Sequence, residues 1–258
     1  MSDFDLTGKV ALITGGNGGI GLGMAEGLAK AGADLVIWGG NPEKNAAAET
    51  TLKTYGRRVL VQRCNVVEEA EVEARFAEAL EEMGRIDGCF ANAGVSQKRA
   101  PLHQLSTAEW KRVLGVNLDG AFYTLRAASR HMVERAKQGD AFGRLVGMAS
   151  TAGIHGAAGA TSYAATKGAM LSVIRALAVE MARYNVTANS ILPGWIETEM
   201  TAGGIGDPKF AGAVLPRIPA RRWGQGNDFA GIACYIMSDT SRYHTGDSFV
   251  IDGAYTIF

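Results

Sequence analysis

Short apolar runs alternate with longer amphipathic segments along nearly the whole chain, and this alternation restricts the possible folds more than any other feature. Most runs are apolar at almost every position, as in parallel strands that helices cover on both faces. The predicted strands are 10–13, 35–37, 59–61, 89–91, 145–148, 191–192 and 249–251. The predicted helices are about 20–31, 43–55, 68–83, 107–136, 162–184 and 227–238. The pattern predicts an α/β fold with a doubly wound parallel sheet.

No linker or internal repeat divides the chain, so residues 1–258 are predicted to form one domain. One stretch, about 197–220, interrupts the alternation and is rich in glycine and proline. A long irregular stretch in a compact domain is often an active-site lid, and a plain surface excursion fits its composition equally well.

The composition argues against several classes of protein. The 26 basic and 26 acidic residues balance, so no nucleic-acid-binding surface is predicted. No apolar run approaches the roughly 20 residues that a membrane-spanning helix needs. Cys64, Cys89 and Cys234 contain no Cys-x-x-Cys pair, and the four histidines are scattered. These features argue against disulfides or a metal site and favour the reducing cytoplasm.

A glycine-rich turn follows the first predicted strand. Residues 14–21 read Thr-Gly-Gly-Asn-Gly-Gly-Ile-Gly and open the first predicted helix. Glycines let the backbone approach a pyrophosphate, and a helix N-terminus offers unpaired N–H groups to it. The G-x-G-x-x-G pattern at Gly16, Gly18 and Gly21 is weak alone, but its strand–turn–helix context predicts a dinucleotide site. In a turn without a ligand, so many glycines would cost conformational entropy for no return.

The sequence leaves the choice between NAD and NADP open. The second predicted strand ends about 20 residues beyond the turn, where an acidic side chain would hold a ribose 2′-hydroxyl and a basic one a 2′-phosphate. The residues there are Trp38-Gly39-Gly40-Asn41, which carry no charge. Lys44 is close by in sequence, and its expected place is a solvated helix face. NADH and NADPH are therefore expected to bind with modestly different affinities.

Three residues suggest proton transfer beside such a dinucleotide. Tyr163 and Lys167 are four apart in a predicted helix and so share a face. Ser150 follows the strand 145–148, at the end of the sheet where α/β proteins bind ligands. Reduction of a ketone needs a proton donor at its oxygen, which Tyr163 can supply while Ser150 holds that oxygen. The Lys167 ammonium and a cationic nicotinamide ring are expected to lower the pKa of Tyr163.

Together these features make the sequence resemble the short-chain dehydrogenase/reductase family along essentially its whole length. The matching motifs are Thr14-Gly15…Gly19-x-Gly21, Ala91-Asn92-Ala93-Gly94, Asn117 in Val-Asn-Leu-Asp-Gly, Ser150, Tyr163-x-x-x-Lys167, and Pro193-Gly194 with Thr198. The resemblance implies a three-layer (α/β/α) Rossmann sheet of seven strands, hydride transfer with NAD or NADP, and a homotetramer.

The resemblance also implies individual roles. Asn117 would hold a water in a proton relay with Lys167, although a polar helix residue is the plainer interpretation. Asn65 stands where the family often has an aspartate near the adenine. The predicted cofactor contacts are Gly15, Asn17, Gly19, Ile20, Gly21, Gly39, Asn65, Val66, Asn92, Ala93, Gly94, Tyr163, Lys167, Pro193, Gly194, Ile196 and Thr198. The predicted substrate contacts are Ser96, His155, Trp195 and Met200.

The leading hypothesis is therefore an oxidoreductase that moves a hydride between NAD(P)(H) and a small secondary alcohol or ketone. Within the family, the sequence is similar to both sugar-acid dehydrogenases and ketoacyl-carrier reductases. A redox-sensing protein that binds the dinucleotide without catalysis is the alternative, although a sensor needs no proton donor. A serine hydrolase ranks last, because no serine lies in a G-x-S-x-G elbow.

Overall fold

The computed structural model describes residues 3–258, so residues 1 and 2 of the predicted domain lie outside the described part. Seven strands form one sheet in the order β3-β2-β1-β4-β5-β6-β7, and every neighbouring pair is parallel. They are β1 (Val10–Thr14), β2 (Asp34–Gly39), β3 (Val59–Arg63), β4 (Gly88–Ala91), β5 (Gly143–Met148), β6 (Val186–Pro193) and β7 (Ser248–Ile251). The predicted parallel seven-stranded sheet is confirmed.

Helices cover both faces of the sheet. They are α1 (Gly19–Lys30), α2 (Pro42–Lys53), α3 (Glu69–Met83), α4 (Thr107–Leu114), α5 (Gly120–Lys137), α6 (Thr161–Met181), α7 (Ala202–Ile205), α8 (Pro208–Val214) and α9 (Ala230–Met237). One core contains buried apolar residues of α1, α2 and α9, and the other contains those of α3, α5 and α6. The three layers of the predicted Rossmann fold are therefore present.

Strand β6 is much longer than the predicted strand at 191–192. It carries the buried polar residues Thr187, Asn189 and Ser190, which interrupt the apolar pattern expected of a buried strand. The Asn189 amide donates to the His244 carbonyl at 2.7 Å and accepts from the Asp247 N–H at 3.0 Å. Because the Asn189 side chain makes these hydrogen bonds, it can be buried without leaving a polar group unsatisfied.

The predicted helix at 107–136 is interrupted by one turn of π-helix at Gly115–Asp119. α4 ends before this turn and α5 begins after it. Such turns are rare and often lie at functional sites. Here the turn holds Asn117, which is 2% exposed. The amphipathic pattern continues through the interruption, so it gave no sign of it.

The strand order reverses between β1 and β4, and ligands of open α/β sheets bind at such a switch point. Gly15 follows β1, Asn92 follows β4, Ser150 follows β5 and Gly194 follows β6. The parallel sheet thus brings together, at the carboxyl ends of its strands, four segments that are distant in sequence.

Gly23 of α1 allows that helix to pack closely on the 3-10 turn Gly226–Phe229. A Cβ at Gly23 would lie 2.7 Å from the Asn227 nitrogen and closer still to the Gly226 carbonyl. Because both neighbours are backbone, we expect Gly23→Ala to lower the free energy of unfolding by about 1–3 kcal/mol. Urea unfolding followed by circular dichroism measures this change.

Gly231 of α9 supplies the matched control. It is also helical, but a Cβ there would meet no atom within 4 Å. Gly231→Ala should therefore raise the free energy of unfolding by about 0.5–1 kcal/mol, through the better helix propensity of alanine. Equal effects of the two substitutions would contradict the packing argument.

Candidate active site

A cleft of about 510 Å³ lies at the carboxyl ends of the strands, beside the glycine-rich turn. The side chain of Asn92 donates to the carbonyls of Thr14 at 2.8 Å and Gly15 at 3.2 Å. The Thr14 hydroxyl accepts from the N–H groups of Asn92 at 3.0 Å and Ala93 at 2.9 Å. These bonds join the turn after β1 to the segment after β4 and fix the shape of the cleft between them.

The glycine-rich turn fits a dinucleotide pyrophosphate. Gly15 has φ +63°, a backbone conformation that residues other than glycine disfavour. A Cβ at Gly21 would lie 2.6 Å from the Asn92 amide nitrogen, whereas a Cβ at Gly18 would meet nothing within 4 Å. Gly18 is also the N-cap of α1, and no side chain bonds to the N–H groups there. The turn therefore offers unpaired donors beside open space, as phosphate binding requires.

Ser150, Tyr163 and Lys167 all line this cleft, so the structure brings the predicted triad together. Ser150 lies just beyond β5, and its hydroxyl accepts from the Ala152 N–H at 3.2 Å. Tyr163 lies in the first turn of α6. Lys167 lies one turn further along the same helix. Its Nζ is 5.5 Å from the centre of the Tyr163 ring and donates to the Met148 carbonyl at 2.7 Å.

Burial controls the protonation of both titratable groups. It raises the pKa of Tyr163, against the smaller lowering effect of the hydrogen bond with Ser150. It also lowers the pKa of Lys167 to about 8. In the chain alone the pKa of Tyr163 is therefore raised, because loss of water around the phenol dominates. The lowering expected from the Lys167 ammonium together with a cationic nicotinamide ring stays a prediction.

Asn117 lies behind the cleft rather than in its lining. Its Oδ1 accepts from the Val95 N–H at 2.8 Å, and its Nδ2 donates to the Val95 carbonyl at 3.0 Å and to the Thr166 hydroxyl at 3.3 Å. A Cβ built on Gly94 would lie 3.3 Å from Asn117 Oδ1 and 3.7 Å from Lys167 Nζ. These two polar groups therefore flank the same small region.

Most of the predicted cofactor contacts line the cleft. Those that do are Gly15, Asn17, Gly19, Ile20, Gly21, Asn92, Ala93, Gly94, Tyr163, Lys167, Pro193, Gly194, Ile196 and Thr198. Of the predicted substrate contacts, Met200 lines it as well. Among residues 3–258, the predicted site residues outside the lining are Gly39, Asn65, Val66, Ser96, Asn117, His155 and Trp195.

Local contacts explain several of these positions. Val66 is buried, and its side chain stands where a Cβ on Gly120 of α5 would fall. Asn65 is exposed and accepts from the Val67 N–H at 3.3 Å. Trp195 lines a neighbouring cavity of about 200 Å³, and its ring lies 5.0 Å from that of Phe210 in an edge-on arrangement.

His155 and Ser96 are both exposed. The Ser96 carbonyl accepts from Arg112 at 2.7 Å.

The cleft lining also includes Gly18 of the predicted glycine-rich motif. The lining residues that were not predicted are Leu22, Lys44, Ala47, Ala48, Thr51, Met148, Ala149, Glu199 and Thr201. Lys44 was expected on a solvated helix face, and its side chain is 39% exposed; it also lines the cleft, and its ammonium forms an ion pair with Glu199. The residues of α2 at the cleft are spaced three or four apart, and this helical spacing could have indicated that one face of α2 borders the dinucleotide site.

Within residues 3–258, no helix has the length and apolarity needed to cross a membrane. The same part of the chain holds no cluster of three or more histidine, cysteine or acidic residues placed to bind a metal.

Comparison with known proteins identifies the family. The family model described as enoyl-(acyl carrier protein) reductase matches residues 15–256. Gluconate 5-dehydrogenase of Gluconobacter oxydans is 33% identical over 98% of this chain and 97% of its own. The 5-keto-D-gluconate 5-reductase of Escherichia coli is 35% identical over 98% of both chains.

A solved structure agrees with these relatives. The gluconate 5-dehydrogenase of Burkholderia cenocepacia, crystallised with NADP and tartrate, has a TM-score of 0.92 and 35% identity, and the match covers 99% of this chain and 98% of that one. The chain belongs to the short-chain dehydrogenase/reductase family and is an NAD(P)-dependent oxidoreductase.

Proposed function

We propose that the chain interconverts a ketone and a secondary alcohol on a small polyhydroxy acid of the gluconate type. The observation that carries the proposal is that Ser150, Tyr163 and Lys167 line one cleft together with the glycine-rich turn. Two of the relatives are named for gluconate or its 5-keto form, and a similar structure holds tartrate, another hydroxy acid. These names favour a sugar acid over a carrier-bound ketoacyl chain as the substrate.

Each residue of the triad has a distinct role in this proposal. Ser150 donates a hydrogen bond to the ketone oxygen and holds it beside the Tyr163 hydroxyl. A bound dinucleotide would supply the hydride, giving up one C–H bond. Tyr163 gives its proton to the oxygen as negative charge develops there, so the Tyr163 O–H bond and the C=O π bond break while the C–H and O–H bonds of the alcohol form. In the reverse direction the Tyr163 phenolate removes the proton from the alcohol.

Lys167 and Asn117 return the proton to Tyr163 in the same proposal. Lys167 is held in place by the Met148 carbonyl. The amide of Asn117 lies near Lys167 across Gly94, where the two could share a water. Asn117 is therefore proposed as a positioning residue that links Lys167 to solvent.

The segment 197–220 is proposed to act as a lid within one domain that spans the chain. It folds into the two short helices α7 and α8 rather than a long irregular loop. At its start, the Thr201 hydroxyl bonds to the Ile196 carbonyl at 2.6 Å and accepts from the Thr198 N–H at 3.0 Å. Met200 is 45% exposed and lines the cleft, so it can contact a substrate that enters there.

We also propose that the protein works as a homotetramer in the cytoplasm. The resemblance to the family supports the tetramer. The three cysteines, Cys64, Cys89 and Cys234, are unpaired among residues 3–258, which suits a reducing compartment.

A substrate screen tests the proposed function. The purified protein is incubated with NADPH or NADH and either 5-ketogluconate, a short β-ketoacyl thioester or a simple aliphatic ketone. We expect oxidation of the reduced nicotinamide to be fastest with the keto-sugar acid. Measurable binding of the dinucleotide without turnover of any substrate would instead favour the redox-sensing alternative. Preference for the thioester would contradict the substrate class and leave the reaction type standing.

A further inference from the structure

Helix α6, which carries Tyr163 and Lys167, has no capping side chain of its own at its first turn. Its N-cap residue is Ala160, whose side chain cannot accept a hydrogen bond. The first N–H groups of a helix have no partner within that helix, and a buried one must find an acceptor elsewhere. Ser162, the second residue of α6, is fully buried, so its N–H needs an acceptor from another segment.

Gln97 supplies that acceptor from a segment 65 positions away in sequence. Its Oε1 accepts from the Ser162 N–H at 2.7 Å and from the Ser162 hydroxyl at 2.6 Å, and its Nε2 donates to the Gly159 carbonyl at 2.9 Å. The two donors of Ser162 require an oxygen and the carbonyl requires an N–H group, so these partners fix the orientation of the amide. Gln97 is 6% exposed, which shields the three hydrogen bonds from water.

The segment that carries Gln97 is itself fixed close to the cleft. The amide of Asn117 bonds to both backbone groups of Val95, which lies two residues before Gln97. At the other end of the contact, Tyr163 directly follows Ser162 in the first turn of α6. Gln97 therefore joins a fixed segment beside the cleft to the helix residue next to the phenol.

We propose that Gln97 is a positioning residue for the reaction, because its amide caps α6 and keeps the Tyr163 hydroxyl where it can reach a substrate oxygen beside Ser150. Gln97 lies outside the cleft lining, so it acts through the helix end rather than on the substrate. Misplacement of a reacting group by about 1 Å can lower a rate about a hundredfold. Without the cap, the first turn of α6 shifts or frays, which slows proton transfer and leaves the glycine-rich turn intact. The proposal rests on the role of Tyr163 in the proposed function.

Gln97→Met tests the proposal, because methionine has a similar length and volume but no amide. Steady-state kinetics use the ketone that the wild type reduces fastest, and a fluorescence titration gives the dissociation constant of NADPH. We expect kcat to fall by about tenfold to a hundredfold, while the dissociation constant of NADPH changes by less than about threefold. An unchanged kcat in Gln97→Met would overturn the proposal.

Gln62→Met is the matched control for the loss of a buried amide. Gln62 is 8% exposed, and its side chain accepts from Trp38 at 2.8 Å and donates to Glu78 at 3.0 Å. It lies in the edge strand β3, whereas α6 packs on β5 and β6. Gln62→Met should lower the free energy of unfolding and leave kcat unchanged. Equal losses of kcat in the two variants would mean that any lost buried amide has this effect, and would contradict the proposal.

A double-mutant cycle tests whether Gln97 and Ser162 act through one contact. Ser162→Ala removes one of the two donors to Gln97 and should lower kcat by a smaller factor than Gln97→Met does. In the double variant, kcat should fall no further than in Gln97→Met, because the Ser162 hydroxyl has already lost its acceptor there. Losses that multiply independently would contradict the proposed contact.

Hydrogen exchange of the amides at 161–164 reports on the helix end without any substrate. We expect faster exchange there in Gln97→Met than in the wild type or in Gln62→Met, and unchanged exchange would contradict the cap. A normal kcat in Gln97→Met beside an inactive Tyr163→Phe would overturn this proposal alone. Retained activity in Tyr163→Phe would instead overturn the role of Tyr163 on which it rests.

Discussion

Replacing Tyr163 with phenylalanine is expected to lower the rate of ketone reduction by about a thousandfold, while NADPH binds with nearly unchanged affinity. The substitution removes one hydroxyl and keeps the ring that fills the wall of the cleft. Reduction then has no positioned proton donor for the developing alkoxide, although Ser150 can still hold the oxygen. Steady-state kinetics give the rate, and a fluorescence titration gives the affinity for NADPH.

Tyr184→Phe is the control for this experiment. Tyr184 ends the 3-10 turn Ala182–Tyr184, which precedes β6. It therefore lies at the amino-terminal ends of the strands, opposite the cleft. It loses the same atom as Tyr163→Phe and should retain full activity. Substantial activity in Tyr163→Phe would mean that another group supplies the proton, and the assigned role of Tyr163 would be wrong.

The fold and most of the cleft could be predicted because they depend on local patterns. Buried parallel strands are continuously apolar, so their number and order along the chain were readable. The glycine-rich turn and Ser150 follow strand ends, and Tyr163 and Lys167 are one helical turn apart. In a parallel sheet, the residues that follow the strand ends all lie at the carboxyl ends of the strands, where they can form one site.

The remaining features depend on contacts between distant segments. Strand β6 contains three polar residues, and the side chain of one of them, Asn189, is buried with hydrogen-bond partners near β7. The pairing of Lys44 with Glu199 joins residues 155 positions apart. The pKa of Tyr163 depends on how deeply α6 buries its phenol, which neither the spacing of the motif nor its residue types reveal.

Burial of Lys167 carries a cost in stability that follows from its pKa. The pKa of about 8 lies below the ordinary lysine value of about 10.4. Below pH 8 the lysine is charged in both the folded and unfolded states, and the cost of burying that charge is fully present. Between about pH 8 and 10.4 the unfolded chain binds more protons than the folded one. The free energy of unfolding therefore increases as the pH rises through this range.

Lys167→Met is therefore expected to lose activity about a hundredfold or more and to become relatively more stable at neutral pH. The full cost of the buried charge is about 3 kcal/mol. The free energy of unfolding of Lys167→Met minus that of the wild type should therefore decrease by about 2 kcal/mol between pH 7 and pH 9.5. The Met148 carbonyl loses its donor at both pH values, so that loss cancels in the comparison.

Urea unfolding of both proteins at the two pH values measures this difference. Other titrating groups, including the buried Cys64 and Cys89, contribute equally to the two proteins and also cancel. A difference that does not change with pH would mean that Lys167 is charged in the folded protein to the same extent as in the unfolded chain. The ammonium would then be better solvated than its 4% exposure indicates, and its place beside Tyr163 would have to be reconsidered.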